Sequence, residues 1–400
     1  MTEPTANEMP QRFRRKSPAP RASHGWRWLF PVALLAAMGW AAMLLIESAH
    51  ELLDSQDGEI RTAQTDPTSL GFEAFVEQTW SMLIITENKN EDLTDLAVAT
   101  VADRENGGGS ILLVPPHLRV AGGCAMEPCD LAALYKEGGQ ELLTEAMVSL
   151  LNVGFTQEVL LTESRWAGLT GPVGGVTVSL PAALTSENSE GEKITHFEAG
   201  KTLILPNQTV GFLDFSEGLS GSNDLALSQA FWSSWLAKLS ESENPLDKLP
   251  ALDLDVVELL AMISAGNHAV VPLLVSEADD GLYVEADLLA QIVVEMFPFP
   301  ISAHPGDRVS VRLINGTGDF TTDPVARQRV VAAGGEIIVV GNHPSFDVAE
   351  SIITYRDPSV AVEATTMAQL LGIPAEYDAF ASPAAEITVL IGADFVGLTG

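Results

Sequence analysis

The chain has 400 residues, 46% of them hydrophobic, and its 54 acidic and 21 basic side chains give a formal charge of −33. The apolar share supplies ample material for a core and excludes a wholly disordered acidic chain. The acidity excludes binding to nucleic acid, or to an anionic membrane surface, through bulk charge. The length suits two or three domains of ordinary size.

The N-terminal region predicts a membrane anchor. Residues 1–27 form a basic tail, and residues 28–46 (WLFPVALLAAMGWAAMLLI) carry no charge. A helix of this length spans roughly 28 Å, close to the roughly 30 Å of a hydrocarbon core. Because the apolar run exceeds the roughly 7–15 residues typical of a cleaved signal peptide, we expect a retained single-pass helix. The basic flank predicts a cytoplasmic N-terminus and extracytoplasmic main domains.

The chain after the anchor divides by composition. Residues 47–70 are polar and predict a stalk and linker, and residues 71–300 alternate short apolar runs with helix patterns, which predicts an α/β sandwich. The predicted strands are SMLII (81–85), LAVATVA (96–102), SILLV (110–114), EVLLT (158–162) and GVTVSL (175–180). The predicted helices are 140–151, the tryptophan-rich LALSQAFWSSWL (225–236) and 254–264.

The chain's two cysteines, Cys124 and Cys129, lie in the loop GGCAMEPCDL. Their spacing is too wide for a redox C-x-x-C motif, and no second pair completes a zinc site. In an oxidising compartment we expect a local disulfide that fixes the shape of this loop. The alternative is a pair of buried free thiols.

A proline-rich stretch, PFPISAHPGDR (298–308), predicts a domain boundary with residues 301–308 as the linker, and residues 309–400 predict a small second α/β domain. Its predicted strands are 309–314, 336–342, 351–355 and 386–392, and its predicted helices are 324–333 and 362–372. The turn NGTG (315–318) offers backbone amides for a phosphate but lacks the rest of a P-loop.

Two resemblances to known families follow from these motifs. Residues 309–396 resemble the LytR C-terminal domain, through VRLINGTG, GGEIIVVGN, SIITY and EITVLIGADF in that order. Residues 81–300 resemble the LytR-CpsA-Psr family, whose members transfer lipid-linked glycopolymers onto peptidoglycan; the stretch 130–181 matches best, with its Gly-Gly helix and Gly-Gly-Val strand. The resemblances imply an α/β/α sandwich with a mixed sheet and a role in the cell envelope.

The family's arginines are missing from this sequence. They bind a polyprenyl pyrophosphate through guanidinium forks. The family's Pro-Arg-Asp motif corresponds here to a segment that reads VPPHL, with Pro116 and His117 in the last two positions of the motif. GFLDFSEG (211–218) replaces an Arg-x-Arg, and Leu227 replaces the arginine of a third cluster. The remaining candidates for polymer or phosphate binding are Arg104, Arg119 and Arg165, none of which lies in a family motif.

Two aspartates remain as candidates for catalysis. The resemblance implies a magnesium-linked aspartate at Asp95 and retains an aspartate at Asp224, so both are also candidate metal ligands. The sequence favours a structural role for each over a metal-ligand role: Asp95 as a turn or cap carboxylate, and Asp224 as the cap of the helix that follows it.

Three functions stay open. The first is a non-catalytic accessory or regulator of envelope assembly, anchored in the cell membrane, whose partners are polyprenyl-linked glycopolymer, peptidoglycan or envelope-assembly proteins. The second is a divergent glycopolymer transferase that uses the two aspartates with magnesium. The third is a lipid- or wall-polymer-binding protein with an apolar cavity. Three arginines converging near Asp95 would favour the second, and a continuous apolar tunnel would favour the third.

Overall fold

The computed structural model describes residues 65–120, 124, 129–215, 221–249, 254–304 and 306–396. The predicted basic tail and transmembrane segment, and nearly all of the predicted stalk, lie outside these ranges. Within them, no helix is both long and apolar enough to cross a membrane.

The strands are, in chain order, β1 (Glu73–Phe75), β2 (Ser81–Glu87), β3 (Leu93–Val101), β4 (Gly109–Val114), β5 (Gln157–Leu161), β6 (Val176–Leu180), β7 (Leu184–Glu187), β8 (Lys193–Phe197), β9 (Gly200–Ile204), β10 (His268–Pro272), β11 (Val275–Ala278), β12 (Gly281–Val284), β13 (Val309–Asn315), β14 (Gly335–Asn342), β15 (Ile352–Tyr355), β16 (Ala375–Tyr377) and β17 (Ile387–Ile391). The helices are α1 (Leu131–Leu151), α2 (Glu163–Thr170), α3 (Thr209–Leu213), α4 (Gly221–Ser240), α5 (Leu254–Ala265), α6 (Ala286–Met296), α7 (Asp323–Ala332), α8 (Ala361–Leu371) and α9 (Ala393–Val396).

The first domain is built on a five-stranded mixed sheet of order β10-β4-β3-β2-β5. Strand β3 is antiparallel to both neighbours, whereas β10 is parallel to β4 and β5 is parallel to β2. Side chains alternate between its faces: Met82 and Ile84 join a core with α2, α4 and α5, and Leu83 and Ile85 join a core with α1 and α6. The predicted α/β class and mixed sheet are confirmed.

Helix α1 is longer than the sequence predicts. It begins at Leu131, after Asp130, whose carboxylate accepts a hydrogen bond from the Ala133 amide at 2.7 Å. Gly139 breaks the helical geometry within it, with φ 65° and ψ −151°. This break interrupts the apolar period, and only the second part shows the pattern expected from residue 140 on.

The second domain has a six-stranded mixed sheet of order β1-β14-β13-β17-β15-β16. Its core side chains pack the sheet against α7, α8 and α9. The predicted strands and both predicted helices are present, and Gly372 ends α8 with a left-handed φ of 73°. Strand β1 was not expected: it lies inside the range predicted for the first domain (71–300), yet it pairs antiparallel with β14 at the edge of the second sheet.

Arg308 links the two domains. Its guanidinium is 6% exposed and donates to the Asn152 carbonyl of the first domain at 2.9 and 2.7 Å. It also donates to the carbonyls of Val331 and Gly335 in the second domain, at 3.3 and 3.2 Å. One side chain therefore satisfies three backbone acceptors at the junction.

The predicted disulfide is confirmed. Cys124 and Cys129 are bonded, with their Cα atoms 5.4 Å apart. The bond closes the loop immediately before Asp130, the residue that caps α1.

Candidate functional site

The candidate site lies where strands of the first sheet end, and this end of the sheet is called the candidate edge. The carboxyl ends of β2, β4, β5 and β10 meet there with the amino end of β3. Ligands of open α/β sheets commonly bind outside the carboxyl ends of the strands. Asp95 lies at this edge, on β3 opposite Thr86 of β2, so the edge is where the family resemblance implies a catalytic centre.

Asp95 is closed off by helix α4. Its carboxylate is 3% exposed; one oxygen accepts a hydrogen bond from the Ser228 hydroxyl at 2.5 Å and the other from the Trp232 indole Nε1 at 3.1 Å. Burial raises the pKa of Asp95, against the opposing effect of these two hydrogen bonds. The carboxylate therefore joins β3 to α4 as a buried polar contact.

Aromatic rings fill the core beneath Asp95. Trp166 of α2 packs edge-on against Phe231, Trp232 and Trp235 of α4, with ring centres 5.5, 5.2 and 5.5 Å apart. All four side chains are fully buried. The Trp166 indole also donates to the Thr86 hydroxyl at 3.1 Å. This space is packed with side chains, and it does not favour the apolar-tunnel hypothesis.

Leu227 and Gln229 show what α4 does at the positions of the family's third arginine cluster. Leu227 is 8% exposed and belongs to the same aromatic core. The Gln229 amide donates to the Val270 carbonyl of β10 at 3.0 Å. Both side chains therefore serve packing between α4 and the sheet. Asp224 lies in the first turn of this helix, but its side chain is outside the described residues.

Arg104 lies far from Asp95. It follows β3, whose carboxyl end is at the opposite edge of the sheet from Asp95, roughly 20 Å away at the rise of a strand. There it pairs with Glu77 at 3.1 Å, donates to the Gln78 carbonyl and lies 5.6 Å from the centre of the Trp80 ring. Arg104 thus has a structural surface role.

Arg119 and Arg165 lie on opposite sides of the candidate edge. Arg119 follows β4, and its amide donates to the Leu282 carbonyl of β12 at 2.8 Å. Arg165 belongs to α2, which follows β5, and its guanidinium donates to the Leu160 carbonyl. Strands β3 and β2 separate β4 from β5, so these two arginines do not meet. The three candidate arginines form no common pocket with Asp95.

The rim of this edge is acidic. Glu87 accepts a hydrogen bond from the Tyr135 hydroxyl at 2.6 Å, and burial together with this contact raises the pKa of Tyr135. Asp92 accepts from Lys136 at 2.6 Å, which lowers the pKa of Asp92. Burial raises the pKa of Asp214, and the charge of Asp92 adds to that effect. Lys136, a cation near this rim, is therefore already paired with Asp92.

A cleft of about 500 Å³ opens beside β2 and α2. It is lined by Glu87, Asn88, Lys89, Glu91, Thr162, Glu163, Ser164, Ala167 and Asn207. Three of these side chains are carboxylates and one is an ammonium, so the cleft disfavours a pyrophosphate, which binds where cations cluster.

The groups around Asp95 do not fit magnesium. Mg²⁺ requires a near-octahedral shell of oxygens at about 2.0–2.1 Å and usually keeps several waters. Both oxygens of Asp95 are taken by donors from α4, and the indole of Trp232 supplies no oxygen. In the part of the chain that the structure describes, no group of three or more His, Cys, Asp and Glu could hold a metal ion.

His117 contacts an acid at the start of α1. Its Nδ1 lies 3.2 Å from an Asp130 oxygen, and its ring is largely exposed. Burial opposes ionisation of Asp130, but hydrogen bonds from His117 and the Ala133 amide outweigh it and lower the pKa of Asp130. His117 therefore supports the cap of α1.

The NGTG turn of the second domain is closed by its own hydrogen bonds. Asn315 Oδ1 accepts from the amides of Thr317 and Gly318 at 2.8 and 3.1 Å, and the Gly316 amide donates to the Ile391 carbonyl at 2.8 Å. These amides are already used, so the turn does not cradle a phosphate.

Sequence reasoning missed the residues that close the site. Ser228 and Trp232 are four residues apart in a helix and so share a face, a spacing that predicts a common contact. The sequence does not tell which strand that face meets. The sequence gives no indication that Thr86 contacts this site, because threonine is common in strands.

No family model matches the chain, and no curated protein matches it. It is similar to solved structures described as B. subtilis TagV (13% identity, 55% of this chain and 96% of that one, TM-score 0.42) and a LytR-Csp2A-Psr enzyme from Actinomyces oris (16% identity, 58% and 95%, TM-score 0.41). A third is TagT bound to LIIa-WTA (13% identity, 59% and 93%, TM-score 0.42).

Proposed function

We propose that this chain is a membrane-anchored, extracytoplasmic accessory or regulatory protein of cell-envelope assembly that does not itself transfer glycopolymer. The envelope role rests on the sequence resemblances and on the basic and apolar N-terminal segments. The proposed partners are polyprenyl-linked glycopolymer, peptidoglycan or envelope-assembly proteins.

The observation that carries the non-catalytic part of the proposal is the environment of Asp95. A carboxylate that acts on a pyrophosphate must reach it, together with cations that neutralise the developing charge. Here both carboxylate oxygens face Ser228 and Trp232 inside an aromatic core. The nearby cleft is lined by more carboxylates than cations.

The divergent-transferase hypothesis is less well supported by this geometry. It required arginines that converge near Asp95. The guanidinium groups of Arg104 and Arg165 instead donate to separate backbone carbonyls, and the side chain of Arg119 lies beside Gly281. The lipid-binding hypothesis required an open apolar space, and the core beneath Asp95 is filled by Trp166, Phe231, Trp232 and Trp235.

The accessory role is tested by adding the full chain to a reconstituted ligation reaction that an active LytR-CpsA-Psr enzyme carries out. We expect the full chain to change the initial rate of that enzyme, and to co-sediment with purified peptidoglycan sacculi or with vesicles that contain the lipid-linked substrate. Heat-denatured chain and chitin particles are the controls. An unchanged rate combined with no binding to either partner would contradict the proposal.

A further inference from the structure

A second cavity lies in the C-terminal domain, away from the edge that carries Asp95. Its volume is about 310 Å³, at the lower end of the range typical of small-molecule pockets. The walls come from β13, β14, α7, the segment before β1 and the junction between the domains. Its lining includes the side chains of Phe72, Phe299, Phe320, Asp323, Arg327 and Asn342.

The cavity wall is held by hydrogen bonds. Asn342 is 4% exposed, and its amide donates to the carbonyls of Pro67 and Ser69 at 2.7 and 2.8 Å. These bonds fix the segment that brings Phe72 to the cavity. On the other side, Phe320 packs edge-on against Phe346, with ring centres 6.2 Å apart. The cavity is therefore preformed.

Among the described residues, Arg327 forms no ion pair in this cavity. Its buried Nε has no hydrogen-bond partner among the described residues, and its guanidinium lies 5.4 Å from the centre of the Phe299 ring. Burial alone lowers the pKa of Arg327, since no carboxylate contributes to the shift. A half-buried guanidinium normally has acceptors for its fork of N–H donors.

Asp323 lines the same cavity but does not compensate Arg327. One of its oxygens accepts from the Asn315 amide at 2.7 Å. Burial raises the pKa of Asp323, and the charge of Asp319 adds to that effect. Its presence disfavours a dianionic group such as a phosphate, because that group would meet a second buried anion.

We propose that this cavity binds a small monocarboxylate with an apolar or aromatic body, whose carboxylate pairs with Arg327. A planar guanidinium matches a carboxylate through two parallel hydrogen bonds. The phenyl rings of Phe72, Phe299 and Phe320 provide surfaces for the apolar body. The same chemistry is offered by a free acid and by the C-terminal residue of a peptide.

Binding is measured on the full chain in lipid nanodiscs by ligand-observed NMR. The probes are 3-phenylpropionate, its neutral amide, acetate, phenyl phosphate and N-acetyl-alanyl-phenylalanine. We expect 3-phenylpropionate to bind at least tenfold more tightly than the amide, acetate or phenyl phosphate. Tighter binding of the peptide than of 3-phenylpropionate would assign the natural ligand to a peptide C-terminus, and the reverse order would assign it to a free acid.

The charge-matched control is Arg356, an exposed arginine of the same domain. Arg327→Gln should weaken 3-phenylpropionate binding at least tenfold, whereas Arg356→Gln should leave it unchanged. Arg327→Lys, which keeps the charge but loses the fork, should bind with intermediate affinity and serves if the glutamine variant does not fold. Three results would each overturn the proposal. The first is equal binding of the acid and its amide, and the second is equal binding by Arg327→Gln and the unmodified chain. The third is no binding of any carboxylate at 10 mM, a concentration that as a Kd corresponds to a binding free energy of roughly −2.7 kcal/mol.

Discussion

Replacement of Asp95 separates a structural carboxylate from a catalytic one. Asp95→Asn keeps the shape and removes the charge. The asparagine oxygen can accept from the Trp232 indole, and its amide can donate to the Ser228 hydroxyl, so both partners stay satisfied. Asp95→Ala instead leaves the hydroxyl of Ser228 and the indole N–H of Trp232 buried without this acceptor.

These contacts set the expected magnitudes. An unsatisfied buried polar group costs about 1–3 kcal/mol, so we expect Asp95→Ala to lower the free energy of unfolding by about 2–4 kcal/mol. We expect Asp95→Asn to change it by less than about 1 kcal/mol at low pH. Relative to the unmodified chain, Asp95→Asn should become more stable as pH rises, because burial raises the folded-state pKa of Asp95.

The sign follows from proton linkage. A carboxyl whose pKa is raised on folding contributes stability that is full below its unfolded pKa and is lost as pH rises through its folded pKa. Asparagine does not titrate, so the stability difference between Asp95→Asn and the unmodified chain should increase over that window. The loss is about 1.4 kcal/mol for each pH unit in which only the folded state holds the proton.

The assay is urea unfolding of residues 64–400, which form one compact unit. Unfolding is monitored by tryptophan fluorescence at several pH values between 4 and 9. Trp166, Trp232 and Trp235 make the signal sensitive to this core. A loss of more than about 2 kcal/mol of unfolding free energy in Asp95→Asn at every pH would contradict this structural role of Asp95. So would a stability difference that does not change with pH.

Further predictions concern stability, redox state and topology. Arg308→Met should lower the free energy of unfolding by about 2–4 kcal/mol, because buried carbonyls at the domain junction lose their donor; Arg356→Met, measured by the same urea titration, should stay within about 0.5 kcal/mol. Cys124 and Cys129 should resist alkylation until a reductant is added, and ready labelling of the unreduced folded protein would contradict the bond. Cysteines engineered at residues 10 and 300 should be labelled from the cytoplasm and from outside, respectively; cytoplasmic labelling at residue 300 would refute the envelope proposal.

The sequence predicts four of the five strands of the first sheet and four of the six strands of the second, because these strands are nearly unbroken buried runs or clean alternations. Strand β3, for example, is buried along its whole length. Strands β1, β10 and β16 were missed. The sequence predicts only the second part of helix α1, because Gly139 interrupts the helical period of its apolar residues. Strand β1 is a three-residue edge strand whose Phe75 is 84% exposed. Such a strand is defined by its partner β14, and its own residues carry almost no pattern.

For the candidate site, the sequence shows which residue types are absent but not which residues meet in the fold. The missing arginines are visible in the sequence, because an absent side chain needs no fold to be noticed. The buried position of Asp95 is not visible, because its donors Ser228 and Trp232 lie more than 130 residues further along the chain. Only the packing of α4 on the sheet brings them together. The same holds for Arg327 and Phe299, which meet from different domains.

An in vitro ligation assay shows whether the edge of the sheet that carries Asp95 performs glycopolymer transfer. Full-length protein in detergent is incubated with a polyprenyl-pyrophosphate-linked glycan, peptidoglycan and magnesium, and release of the polyprenyl phosphate is measured beside an active LytR-CpsA-Psr enzyme. We expect release at the background rate for the unmodified chain and for Asp95→Asn alike. Turnover by the unmodified chain that disappears in Asp95→Asn, a variant expected to fold normally, would contradict this expectation.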